Sequence, residues 1–165
     1  MKLILLRHAH ALPGEIDGLR PLSAKGRRQV RGLPKALVSE AFAGVRVLEH
    51  SGLVRSVETA GLLKKYFKVR LSVKVLKGIE PEGSARLTAQ LLARSSRPRF
   101  IVGHNPHLSI LAALLLGLKA GAEGIKFRKA GILALERLTL PSKKYRFGRW
   151  RLLWLLLPPN DTANS

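Results

Sequence analysis

The chain contains no cysteine. That excludes a disulfide framework, a thiol nucleophile and any cysteine-ligated zinc or iron–sulfur site. It also agrees with a cytoplasmic location, which is the expectation here. Acidic residues are scarce: ten Asp and Glu stand against thirty Lys and Arg, a formal net charge of +20. Such a field draws nucleic acid, acidic proteins or phosphorylated ligands, and says nothing about fold. Long apolar runs are missing too. A membrane span needs ~18 consecutive apolar residues, whereas Leu108–Leu118 is broken by Ser109 and Gly117 and Leu152–Leu157 is short. Both are read as core, and no membrane partner is expected. The opening residues Met1–His8 lack the roughly 7–15-residue apolar region and the small-residue cleavage site of a signal peptide. Internal repeats and low-complexity blocks are also absent.

What is present is an alternation of strand and helix. Residues 2–6 form an apolar run without alternation, as in a strand buried on both faces. Ser23 can cap a helix running to Phe42, with Pro34 inside it as a kink or split. Further strands are expected at Val45–Glu49, Ser72–Leu76 and Arg99–Val102. Helices are expected at Leu53–Phe67, at Ser84–Ser95 and from Pro106 to Leu116. Lys119–Lys129 reads as a basic loop. Ile132–Leu138 and Trp150–Leu157 read as an antiparallel strand pair at a sheet edge. The pattern predicts an α/β protein: a three-layer α/β/α sandwich with a mostly parallel sheet and an antiparallel C-terminal edge. At 165 residues it suits one domain, expected over 1–158, with 159–165 as a loose tail after Pro158-Pro159.

Arg7-His8 follows the first strand, Arg55 lies just inside the helix after the second, and His104 follows the fourth. In open parallel sheets, ligands bind beyond the carboxyl ends of the strands. These positions can therefore meet in one crevice, and arginines with histidines describe an anion pocket. Taken singly, each has a plainer reading: a polar strand end, a solvated helix residue, a structural histidine. The argument rests on their coincidence.

The local motifs carry a resemblance. Leu6-Arg7-His8-Ala9 resembles the Arg-His-Gly/Ala signature of the histidine phosphatase superfamily, the phosphoglycerate-mutase-like proteins. Arg20-Pro21-Leu22-Ser23-Ala24-Lys25-Gly26 resembles the Arg-Pro-Leu-Thr/Ser-x-x-Gly segment of its SixA-type phosphohistidine phosphatases. Ser51 to Ala60 is similar to Ser-Pro-x-x-Arg-Ala-x-x-Thr-Ala, and Val102 to Pro106 is similar to Val-Gly-His-Asn-Pro. The matches come in family order across residues 2–118. The departures are Gly52 where proline is usual, Ser56 where alanine is usual, and His10 in the third place after Arg7.

The resemblance implies that His8 is a nucleophile that becomes phosphohistidine, which water then hydrolyses. It implies that Arg7, Arg20, Arg55 and His104 hold the phosphoryl oxygens, with Arg7, Arg55 and His104 also catalytic, and that neither metal nor other cofactor takes part. Ester-hydrolysing members carry a carboxylic acid between the second and third motifs. The candidates here are Glu58, Glu80 and Glu82; Glu80 is the possible general acid, while Glu58 is expected to pair with a cation. A phosphohistidine substrate relaxes this need, because imidazole leaves readily. Two enzyme readings follow: a phosphatase of phosphohistidine on a protein, such as an acidic histidine-phosphotransfer domain, or a phosphomonoesterase of a small sugar or nucleotide-derived phosphate. A third reading, a nucleic-acid-binding module, has the basic, aromatic-dotted Lys119–Arg151 stretch in its favour. The lack of any RRM, KH or zinc-finger pattern is against it.

Overall fold

The computed structural model describes residues 1–118 and 125–158. Among these residues, eleven strands and α-helices follow in chain order: β1 Lys2–Arg7, α1 Ala24–Arg31, α2 Lys35–Ala41, β2 Val47–His50, α3 Val54–Tyr66, β3 Ser72–Val75, α4 Ala85–Arg94, β4 Arg99–Gly103, α5 His107–Leu116, β5 Ile132–Arg137 and β6 Trp150–Leu156, with one 3-10 turn, Asp17–Leu19, after β1. The single helix expected from Ser23 to Phe42 is two helices. Ser23 caps α1 by accepting from Gly26 N–H at 3.1 Å. Gly32 closes α1 and Pro34 caps α2, since proline offers no N–H to continue the first ladder. Pro106 likewise stands as the cap of α5, one place before its first helical residue, His107. The expected tail at 159–165, and the part of the expected loop at 119–124, lie outside the described residues.

The sheet order is β3-β2-β4-β1-β5-β6. The first four strands are parallel; β5 runs antiparallel to β1, and β6 antiparallel to β5. Side chains alternate across the central strands and so divide the core in two. Ile4, Leu6, Leu48, Phe100, Val102, Ile132 and Ala134 face α1, α2 and α3, where Val30, Val38, Ala60 and Leu63 meet them. Leu3, Leu5, Ile101, Leu133 and Leu135 face α4 and α5, where Ala89, Leu92, Leu108 and Leu111 meet them. The result is an α/β/α sandwich whose central strands are covered on both faces, which is why β1 and β4 read as unbroken apolar runs. No helix among the described residues is long and apolar enough to cross a membrane.

One close approach ties α1 to the segment leaving β1. A Cβ on Gly26 would lie 2.1 Å from the His10 carbonyl oxygen, so only glycine fits there. His10 N–H in turn donates to Gln29 Oε1 at 2.9 Å, and Ser23 N–H donates to the His10 carbonyl at 3.0 Å.

Candidate active site

Register alone brings two histidines together. β1 pairs with β4 so that Arg7 lies opposite Gly103. His8 N–H then donates to the Gly103 carbonyl at 2.9 Å. His8 and His104 thus leave the sheet side by side, with ring centroids 4.8 Å apart. They are 3% and 1% exposed, low enough that burial governs their protonation.

His8 is oriented by its own neighbour. Its Nδ1 lies 2.7 Å from the Ala9 carbonyl oxygen. A carbonyl only accepts, so Nδ1 carries the proton and Nε2 the lone pair. Nε2 lies 3.5 Å from Lys129 Nζ. Burial, then the Lys129 charge and His104, push the His8 imidazole down to about 2, with Arg55 adding a smaller push; the Ala9 carbonyl acts the other way. His104 is pushed down to about 3 by burial and then by Arg55, with Lys129 and Arg7 adding and Asp17 opposing. Its Nε2 shares a 2.5 Å hydrogen bond with Ser51 Oγ, and its Nδ1 is buried with no partner among the described residues. When Ser51 donates, Nδ1 carries the proton and is a donor still to be used.

The arginines converge from three elements. Arg55, in the first turn of α3, is buried; it donates from Nη1 to the Asp17 carbonyl at 2.6 Å and from Nη2 to Asp17 Oδ2 at 2.8 Å. Arg20 donates from Nη1 to Asp17 Oδ1 at 2.9 Å and from Nε to the Leu12 carbonyl at 2.8 Å. Asp17 therefore bridges two of the predicted anion-binding groups. Arg55, then Arg20, hold its carboxyl below the usual carboxylate range. Arg7 donates from Nη1 to the Phe127 carbonyl at 2.8 Å, while its Nε is buried without a partner among the described residues. Thr59 fastens α3 to the segment after His8: its Oγ1 accepts from Ala9 N–H at 3.1 Å and donates to the Arg55 carbonyl at 2.7 Å.

Both departures from the resembled α3 motif have physical reasons. Gly52 sits at φ +89°, a region closed to proline, whose ring holds φ near −65°. Ser56 is fully buried and donates to the Val102 carbonyl at 2.8 Å, joining α3 to β4 directly.

Glu58, Glu80, Glu82 and His10 have the following surroundings. Glu58 accepts from Leu22 N–H at 2.8 Å and from Arg27 at 3.2 Å, holding the segment between the first loop and α1. Glu80 is half-buried in the loop before α4, and its charge acts on His107. Among the described residues no hydrogen bond connects it to His8 or His104. Glu82 is exposed. His10 Nδ1 is 2.8 Å from Ser23 Oγ, which places it beside the α1 cap. Two residues of the cluster, Asp17 and Lys129, were not singled out from sequence. Lys129 had a signal: it stands just before a strand antiparallel to β1, so it lies at the same sheet edge as the end of β1. Among the described residues no three His, Asp or Glu side chains group to hold a metal ion.

No protein-family model and no curated protein matches the chain. Solved structures do. A protein histidine phosphatase SixA complexed with tungstate is 22% identical, with a TM-score of 0.73 over 96% of this chain and 97% of that one. The SixA protein from Agrobacterium tumefaciens is 21% identical, with a TM-score of 0.74 over 95% of this chain and 97% of that one. A mycobacterial glucosyl-3-phosphoglycerate phosphatase is 20% identical, with a TM-score of 0.63 over 93% of this chain and 97% of that one. The likeness spans nearly the whole of both partners each time, and the chain shares the fold of these histidine phosphatases.

Proposed function

We propose that the protein is a phosphatase with His8 Nε2 as nucleophile, acting on phosphohistidine carried by another protein. The observation that carries the reading is His8 itself: a neutral imidazole, its Nδ1 proton committed to the Ala9 carbonyl, with Nε2 turned toward a cluster of cations. The Nε2 lone pair forms the new N–P bond as the bond to the leaving group breaks. Water then attacks phosphorus, the His8 N–P bond breaks, and phosphate leaves with neutral His8 restored. Arg7, Arg20, Arg55 and His104 Nδ1 are the donors for the phosphoryl oxygens, whose charge is spread over them in a loose transition state. Phosphate displaces the Asp17 carboxylate from Arg20 and Arg55 as it enters.

The choice of substrate follows from what can supply a proton. An alkoxide leaves poorly without one, and general-acid help is worth ~10²–10⁴. Asp17 acts on His104, but its two arginine partners keep it ionised. Glu80 acts on His107 instead. An imidazole leaves phosphorus without carboxylic-acid help, once its other ring nitrogen is protonated. The net charge of +20 favours an acidic carrier, such as a histidine-phosphotransfer domain, through encounter rate.

The test is turnover of a phosphohistidine protein beside a panel of sugar and nucleotide phosphates, for wild type and His8→Ala. The expected result is faster release from phosphohistidine, acid-labile and base-stable phosphate trapped on wild type, and activity lost in His8→Ala. Activity above a few per cent in that variant would remove the nucleophile. Fast ester hydrolysis with no action on phosphohistidine would make a small phosphate ester the substrate.

A further inference from the structure

We propose that Lys129 is a catalytic residue of this site, a cation that binds an equatorial phosphoryl oxygen during transfer to and from His8. The inference rests on His8 being the nucleophile and adds a group that none of the resembled motifs contains.

The geometry begins with the turn that carries Lys129. Ala130 adopts φ +58°, a left-handed conformation unusual for a residue with a side chain. Its N–H donates to the Arg7 carbonyl at 3.1 Å and to the His8 carbonyl at 3.3 Å. Arg7 N–H donates to the Gly131 carbonyl at 3.0 Å, and Gly131 N–H to the Arg128 carbonyl at 2.9 Å. Phe127 is fully buried, and its carbonyl takes Arg7 Nη1 at 2.8 Å and Asn105 Nδ2 at 3.3 Å. The turn is therefore clamped to the end of β1 on both sides of Lys129. A bent backbone held by this many bonds is a costly arrangement for a surface loop, and its effect is to set one half-buried ammonium 3.5 Å from Nε2 of His8.

That placement decides the role. In an in-line displacement the leaving atom lies opposite the nucleophile across phosphorus, several ångströms further away. An ammonium beside Nε2 is in reach of the three equatorial oxygens and not of the leaving atom. Lys129 thus acts on charge in the transition state and not as the proton donor to the leaving group. It also opposes protonation of Nε2, keeping the nucleophile's lone pair available.

Lys129 has a titration of its own to be read. Burial, then Arg7, Arg55 and Arg20, push its ammonium down to about 8, with Asp17 opposing. The other groups facing it are His8 and His104, held neutral far below that range. Loss of the Lys129 proton is therefore the event expected to end activity on the alkaline side.

The experiment is steady-state and single-turnover kinetics of wild type, Lys129→Met and Lys129→Arg on a phosphohistidine protein across pH, with thermal unfolding of each variant. Removing one such donor elsewhere costs ~10²–10³ in kcat. Lys129→Met should lose about 10²-fold in kcat and in His8 phosphorylation rate, with KM changed by less than about threefold. Wild-type kcat should fall with loss of one proton near pH 8, and Lys129→Arg should restore part of the rate and move that limb upward. A Lys129→Met kcat within about threefold of wild type, or an alkaline limb unmoved in Lys129→Arg, overturns the proposal. Should Lys129→Met prove unfolded, the limb in Lys129→Arg decides alone. Failure of this proposal is distinct from failure of the nucleophile: an inactive His8→Ala beside an unimpaired Lys129→Met removes only Lys129.

Discussion

Acidification from about pH 7 to about pH 5 tests the protonation state that the chemistry requires. In an unfolded chain a histidine binds its proton near pH ~6.5. In the folded protein burial, then Lys129 and His104, push His8 down to about 2, and burial, then Arg55, push His104 down to about 3. Between the folded and unfolded values the unfolded chain binds more protons than the native one. Stability therefore rises with pH through this window and is lost as pH falls below ~6.5. For each of the two imidazoles the loss between pH 7 and pH 5 is about 2 kcal/mol, so the pair removes about 4 kcal/mol. That is a large share of the roughly 5–15 kcal/mol typical of a domain. Burial also lowers His50 and His107. Their contribution has the same sign, and it cancels in a comparison that leaves them in place. The assay is urea unfolding at stepped pH for wild type and for the His8→Asn/His104→Asn double variant. Wild type should lose about 4 kcal/mol more than the variant between the two pH values. Nitrogen NMR of the native protein should show His8 as the neutral Nδ1–H tautomer, with no titration above pH ~4. Parallel stability curves, or a His8 titration near 6.5, would refute the reasoning.

The geometry sets three further outcomes. Asp17→Ala should bind inorganic phosphate or tungstate about three- to tenfold more tightly. The carboxylate that occupies Arg20 and Arg55 is gone, which leaves both guanidiniums to the anion; unchanged or weaker competition by either anion would contradict this. Gly26→Ala should destabilise the protein by about 1–3 kcal/mol in denaturant unfolding, because its Cβ would meet the His10 carbonyl at 2.1 Å. Gly61→Ala in α3, with nothing within 4 Å, should instead stabilise it by about 0.5–1 kcal/mol. Equal effects at the two positions would count against the close approach.

Local sequence determined the elements because local forces make them. The unbroken apolar runs of β1 and β4 mark strands covered on both faces, and Ser23 and Ser84 accept the helix N–H groups that their positions predict. Pro34 announced a break without saying whether it bends one helix or separates two; Gly32 just before it lets α1 close first. The strand-end positions of His8, Arg55 and His104 were also legible, since parallel topology sends strand ends to one edge. Tertiary structure alone decided the contacts made across long stretches of chain. No spacing rule links Asp17 to Arg55 or Lys129 to His8, which meet at 2.8 Å and 3.5 Å only because three segments fold against the end of β1. Protonation was decided the same way. A histidine's type sets its ordinary value, but only burial and the particular cations packed around it hold His8 neutral, and neither is written in the residues beside it.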